Sequence, residues 1–273
     1  MRTWILLFFS GLGIMSVATG CLSVGNIHTR AQPKQALDRY SLVDGTYVSE
    51  QGCRFDYRVY EPDMPVGSSS VLLGHGFLRD QDKLISLSRA LANSGIRAIT
   101  LNFCNMRPWN GNHEANAIDM RNLARHLDTL DDVVFGGFSA GGLAAILAAD
   151  ENTRAVFLLD FVDQAGLGAS ALKKLQVPVT GFHGPPSSCN ANNSGVSTIE
   201  QHLGRQENLS IGYTMIGEAS HCEFESPTDW LCKLTCADDD KAADNETTRQ
   251  SIITKSVERV KRYINAYTQQ NHS

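Results

Sequence analysis

The stretch "VVFGGFSAGGLAAILAAD", residues 133–150, decides how the chain is read. Its first six residues form an apolar run of strand length, the pattern of a strand buried on both faces. Its last part, "AGGLAAILAAD", is rich in small residues and reads as a helix. Between the two stands one hydroxyl, Ser139, with glycines at 137 and 141. A strand, a tight corner and a helix follow each other without a loop.

The same alternation continues outward. "TYVSEQG" and "FDYRVYEP" predict an opening strand pair. "SSVLLGHG", "IRAITLNF", "RAVFLLDF", "VPVTGFHG" and "LSIGYTMIG" predict further strands, most of them short apolar runs closed by glycine or polar residues. Helices are predicted over "DKLISLSRALANSG", with Leu84, Leu87 and Leu91 at helical spacing and Gly95 as the stop, and over "HEANAIDMRNLARHLDTL". In the latter Ala117, Met120, Leu123, Ala124 and Leu127 share one stripe. A last helix is predicted over "TTRQSIITKSVERVKRYINAYT". Strands alternating with helices imply an α/β class with a mostly parallel central sheet and helices on both faces. In such sheets ligands gather at the carboxyl ends of the strands.

"GFSAG", 137–141, fits G-x-S-x-G in the strand-to-helix context that this motif requires. The residues two before and two after the serine approach each other, and glycine removes the clash. The corner lifts the serine oxygen clear of the sheet. It also sets the Ala140 N–H at a helix start, where it can donate to a developing oxyanion. No lysine follows to make a phosphate loop, and G-x-G-x-x-G is missing here. "GHGFLRD", after the first buried strand, supplies the second oxyanion donor as the N–H of Phe77.

A serine needs a base, and the base needs an acid. Eight histidines are available. His28 and His272 fall near the chain ends. His113, His126 and His202 read as solvated helix positions. His75 and His183 end strands, and His75 reads as a structural neighbour of the oxyanion loop. His221, in "GEASHCEFESP" after the last strand, fits the order serine, acid, histidine. No Asp or Glu lies between residues 164 and 199, so the strand "VPVTGFHG" ends without a carboxylate. The preceding strand ends in Asp160, with Asp163 three residues on. Asp160 is the favoured acid because it sits at the strand end, and Asp163 is the alternative.

On "LLGHGFLRD", "GGFSAGG", "LLDFVDQAG" and "GEASHCEFE", residues 45–267 resemble the α/β-hydrolase superfamily. Within it they resemble chlorophyllase-like and dienelactone-hydrolase-like serine esterases. "LLDFVDQAG" is similar to the "DPVDG"-type segment that carries the acid in chlorophyllases, with Phe161 where that segment has proline. The resemblance implies an α/β-hydrolase fold with no metal or organic cofactor. It also implies ester hydrolysis through an acyl-enzyme on a Ser139–Asp160–His221 triad. Met106 and Trp109, in "CNMRPWNGNHE", are candidates for an acyl pocket. A peptidase or amidase on the same scaffold, or a non-catalytic envelope lipoprotein, are the rival readings. The short distance between "RAVFLLDF" and "VPVTGFHG" leaves little room for a large cap and favours a small-molecule ester.

The formal charge of −5, with no long basic run, gives nothing to attract nucleic acid. "MRTWILLFFSGLGIMSVATGC" has an early cation, a short apolar run and small residues before a cysteine, the form of an export signal over residues 1–20. "VATGC" resembles a bacterial lipobox, with lipidation of Cys21 as its implication. Residues 21–37 then form a lipidated start and tether, and 38–273 one domain. The expected location is the cell envelope, as an outer-membrane lipoprotein with the membrane reached through that lipid, or otherwise periplasmic or secreted. Beyond Cys21, Cys53, Cys104, Cys189, Cys222, Cys232 and Cys236 are an even set in an exported chain and predict disulfides, with fifteen full pairings open. No set of four Cys/His ligands is evident around Cys232 and Cys236, so no zinc site is expected. The acidic run Asp238–Asp240 reads as a solvated loop.

Overall fold

The structure is a computed structural model that describes residues 30–32, 38–106, 111–203, 212–236 and 245–270. Among these residues nine strands form one sheet: β1 (Arg30–Gln32), β2 (Tyr40–Val48), β3 (Arg54–Pro62), β4 (Ser70–Gly74), β5 (Arg97–Leu101), β6 (Val133–Phe138), β7 (Ala155–Leu159), β8 (Val179–His183) and β9 (Gly212–Met215). Their order is β1-β2-β3-β5-β4-β6-β7-β8-β9. The first three pairings, as far as β3 with β5, are antiparallel, and every pairing from β5 to β9 is parallel. The crossovers are made by α1 (Ile85–Asn93), α2 (His113–His126), α3 (Ala140–Ala148), α4 (Leu167–Leu172) and α5 (Ser194–Leu203). After β9 come α6 (Trp230–Thr235) and α7 (Glu246–Gln270).

The parallel strands read as unbroken apolar runs because both of their faces are covered. Leu72, Phe135, Val156 and Leu158 turn to one face and pack with Met120 and Leu123 of α2 and Leu143 of α3. Val71, Leu73, Val134, Phe157 and Leu159 turn to the other and pack with Leu87 and Leu91 of α1 and Val260 and Ile264 of α7. Each such side chain contributes about 1.5–3 kcal/mol when fully buried, so the two layers brace the strand ends that carry the site.

Three differences from the sequence reading have local causes. The first long strand lies earlier than "TYVSEQG" suggests: β2 ends at Val48, and Ser49–Cys53 turns the chain back, with Gly52 at φ +78°. Helices α4 and α6 have six residues each, too few for a helical period to show. Helix α5 opens on "SGVST", a start of low helix propensity, although Val196, Ile199 and Leu203 stand at helical spacing. β1 falls within the stretch read as a tether and pairs with β2. The export signal, Cys21, Trp109 and the Asp238–Asp240 run lie outside the described residues.

Candidate active site

Ser139 is the residue between β6 and α3. Its backbone stands at φ 53°, ψ −119°, a conformation that L-residues rarely adopt and that costs about 1–3 kcal/mol. The surroundings hold it there. Its N–H donates to the Leu159 carbonyl at 2.9 Å, and its carbonyl accepts from the Gly142 N–H at 3.0 Å. A Cβ on Gly137 would collide with the backbone of Gly141, and one on Gly141 with the carbonyl of Gly74 at the end of β4. The two glycines therefore let three chain segments meet beneath the serine, as the sequence motif requires.

Asp160 follows β7 directly and is almost wholly buried. Its φ of 40° is a left-handed conformation that L-residues rarely adopt. Oδ2 lies 2.5 Å from His221 Nδ1. Oδ1 accepts from the Gly184 N–H at 2.9 Å, and the Asn190 amide stands 3.4 Å from both oxygens. The turn is fixed further by the Phe161 N–H, which donates to the Tyr213 hydroxyl at 2.9 Å. Asp163 does other work. Its two oxygens accept from the Gly168 and Ala169 N–H groups at the start of α4, and from Thr198 Oγ1 at 2.8 Å.

His221 opens a 3-10 turn, His221–Phe224, after β9. Its ring packs on Phe138, the residue before the serine, with centroids 4.7 Å apart. With Nδ1 on Asp160, Nε2 is the nitrogen that can take a proton from Ser139. The three residues thus have the geometry of a Ser–His–Asp triad.

The other strand-end histidines are engaged elsewhere. His75 Nε2 accepts from the Phe103 N–H at 3.0 Å, which makes Nδ1 the protonated nitrogen, and Nδ1–H donates to the Gly76 carbonyl at 2.8 Å. Burial lowers its pKa to about 4, so it is a neutral brace for the loop that carries Phe77. His183 is buried and hydrogen-bonds the Gly184 carbonyl at 2.9 Å. His113 departs from the solvated position expected of it. It is buried at the start of α2, it bonds Gln164 through Nε2, and burial lowers its pKa.

The serine opens into a cleft of about 560 Å³ lined by Phe77, Gly111, His113, Ala140, Val162, Asp163, Gln164, Ala165, Cys189 and Ala191. Phe77 and Ala140, the two expected oxyanion donors, flank it. Met106 does not reach the cleft. It is buried in the core, and its carbonyl accepts from the Leu78 N–H at 3.0 Å.

Polar residues that the motifs did not single out frame the site. Arg79, two residues after Phe77, forks onto Glu225, four residues after His221, at 2.5 and 2.6 Å. Burial works against the Arg79 charge, but the carboxylates of Glu225 and Asp229 outweigh it and hold the guanidinium above its usual range. Burial also raises the Glu225 carboxyl, and Arg79, followed by His221, pulls it back. Both residues stand inside quoted motifs, and a charge beside each was the available signal. Asn190 had none: it lies in a stretch read only for its lack of carboxylates.

The six cysteines among the described residues pair as Cys53–Cys104, Cys189–Cys236 and Cys222–Cys232. The last two are neighbours, with the sulfurs of Cys222, Cys232 and Cys236 within 4.8 Å of one another. They attach α6 to His221 on one side and to Asn190 on the other.

No family model matches the chain, and no curated protein matches it in sequence. Solved structures do. An acetyl xylan esterase from Paenibacillus sp. R4 superposes with a TM-score of 0.56 at 12% identity, covering 72% of this chain and 83% of that one. The esterase domain of a Rhodothermus marinus protein gives 0.58 at 16%, covering 82% and 99%. A dienelactone hydrolase from Anabaena variabilis ATCC 29413 gives 0.56 at 16%, covering 81% and 96%. The fold resembles that of the α/β-hydrolase and esterase superfamily. Ser139 follows β6, Asp160 follows β7, and His221 lies in the loop after β9, so all three come from the carboxyl ends of parallel strands.

Proposed function

We propose that the protein is a serine carboxylic-ester hydrolase that works through an acyl-enzyme. The contact of His221 Nδ1 with Asp160 at 2.5 Å, beside a serine held at the strand-to-helix corner, carries this reading. Ser139 Oγ attacks the ester carbonyl as His221 takes its proton. Asp160 orients the ring and stabilises the imidazolium. The N–H groups of Phe77 and Ala140 receive the oxyanion, each worth about 3 kcal/mol in the transition state. The alcohol leaves with the proton from His221. Water, deprotonated by His221, then attacks the acyl-enzyme and frees Ser139.

The substrate is a small ester, and the fold neighbours, two esterases and a dienelactone hydrolase, support that class. We place the chain nearest the chlorophyllase-like and dienelactone-hydrolase-like branch, on the "LLDFVDQAG" segment. We also read it as an envelope lipoprotein acylated on Cys21. The three disulfides favour an oxidising compartment. Mass spectrometry of the mature amino terminus tests this: an unmodified Cys21, or a retained segment 1–20, would refute it.

A fluorophosphonate probe should label Ser139, and short p-nitrophenyl esters should turn over faster than aminoacyl anilides. Ser139→Ala should abolish both labelling and turnover with the fold retained. Turnover by folded Ser139→Ala would overturn the esterase reading. Faster anilide cleavage would favour the amidase reading, and a folded wild type that takes no label would favour a binding protein.

A further inference from the structure

Two loops must keep their spacing for this chemistry to run. Residues 75–80 carry the Phe77 N–H, and residues 220–226 carry His221. One buried ion pair spans them. Arg79 Nε and Nη2 donate to the two oxygens of Glu225 at 2.5 and 2.6 Å, with side chains 7% and 0% exposed. Nη2 also donates to Asp229 at 2.8 Å, and Lys83 reaches the other oxygen of Asp229 at 2.6 Å. Asp229 in turn caps α6 by accepting from the Leu231 and Cys232 N–H groups, both at 3.1 Å. Backbone bonds run alongside, from the Ser226 N–H to the Lys83 carbonyl at 2.8 Å and from the Ser86 N–H to the Ser226 carbonyl at 3.0 Å.

A buried ion pair is a poor device for stability alone, because apolar side chains of the same volume hold two loops as well or better. What they lack is direction and charge. A guanidinium fork meeting a carboxylate fixes both distance and angle. The anion also acts on His221, since the two groups interact electrostatically. Asp160 from the end of β7 bonds the imidazole, the Phe138 ring from β6 packs on it, and Glu225, held by Arg79, acts on it electrostatically from the same loop.

We propose, resting on the esterase reading above, that Arg79 and Glu225 are positioning residues for the reaction. The fork of Arg79 sets the loop bearing Phe77 against the loop bearing His221. The Glu225 anion favours the imidazolium that forms in each acyl transfer.

Glu225→Gln and Arg79→Lys in the full chain test this. Rates of p-nitrophenyl acetate hydrolysis are expressed per serine labelled to completion by fluorophosphonate, and thermal unfolding confirms that each variant is folded. Glu225→Gln removes the charge and keeps the shape. Its kcat should fall about tenfold to a hundredfold with KM little changed. The acid limb of kcat/KM should move to lower pH, because the imidazolium has lost an anion. Arg79→Lys keeps the charge and loses the fork, so kcat should fall while the acid limb stays. A folded variant of either kind with wild-type kcat overturns the proposal, as does a slowed Glu225→Gln whose acid limb has not moved. If Glu225→Gln does not fold, the kcat of Arg79→Lys decides alone, since a lowered value at unchanged KM supports the proposal. A wild type that neither labels nor hydrolyses esters strikes the esterase reading instead. That outcome is distinct from an active wild type with indifferent variants.

Discussion

His221 Nδ1 and Asp160 Oδ2 stand 2.5 Å apart although 61 residues separate them in the chain. Asp163, three residues from Asp160, spends its carboxylate on the first turn of α4 and on Thr198. The two aspartates should therefore fail differently. Asp160→Asn presents the wrong hydrogen-bonding partner to the imidazole and should lower kcat about ten-thousandfold. Asp163→Asn should cost about 1 kcal/mol of stability and leave kcat near wild type. Steady-state kinetics paired with urea unfolding of both variants checks the assignment. The reverse pattern would move the acid to Asp163.

His75 should make stability depend on pH. Its folded pKa is lowered to about 4 from the ordinary 6.5 by burial. Between those values the unfolded chain binds a proton that the folded chain refuses. Stability contributed by this group is therefore complete above about 6.5 and is lost as pH falls towards 4. The full loss is about 2–4 kcal/mol. Unfolding free energies of wild type and His75→Gln across this range should converge at the acid end. Parallel curves would show that other groups set the slope.

The Cys222–Cys232 bond closes a loop over 10 residues directly beside His221. Replacing both cysteines with alanine should cost about 3 kcal/mol of stability on the chain-entropy account. The catalytic turn should also loosen, so kcat should fall at temperatures where the variant is still folded. Mild reduction of the wild type should do the same before near-ultraviolet circular dichroism reports unfolding. Full activity with both thiols shown to be free by mass spectrometry would leave the turn to its ion pair and backbone bonds.

Gly141→Ala is the most severe small change to expect near the site. The added methyl would fall on the Gly74 carbonyl, a backbone atom that cannot swing aside. Either α3 moves off β4, or Ser139 leaves its strained conformation. The expected result is loss of fluorophosphonate labelling together with a lower melting temperature. Normal labelling would show that the corner can shift to accommodate the methyl.

Much of this was legible in the chain. Unbroken apolar runs between helical stripes state that the strands are covered on both faces, so the parallel sheet follows from local pattern. The glycines around Ser139 announce a close approach, because only a missing Cβ permits it. Burial of His113 was not legible. Its immediate neighbours in sequence are polar, and its partner Gln164 is brought in from beyond β7.

By itself the sequence determined the strand–corner–helix unit at Ser139, the order nucleophile, acid, histidine, and an even set of cysteines. These are properties of local spacing and composition, which residues carry wherever the chain goes. Tertiary structure decided which aspartate meets the imidazole, which cysteines pair, and that Arg79 reaches Glu225 across 146 residues. Those are contacts between segments distant in the chain. Their partners are chosen by the packing of helices on a twisted sheet, which a local pattern such as the strand end at Asp160 can narrow but does not fix.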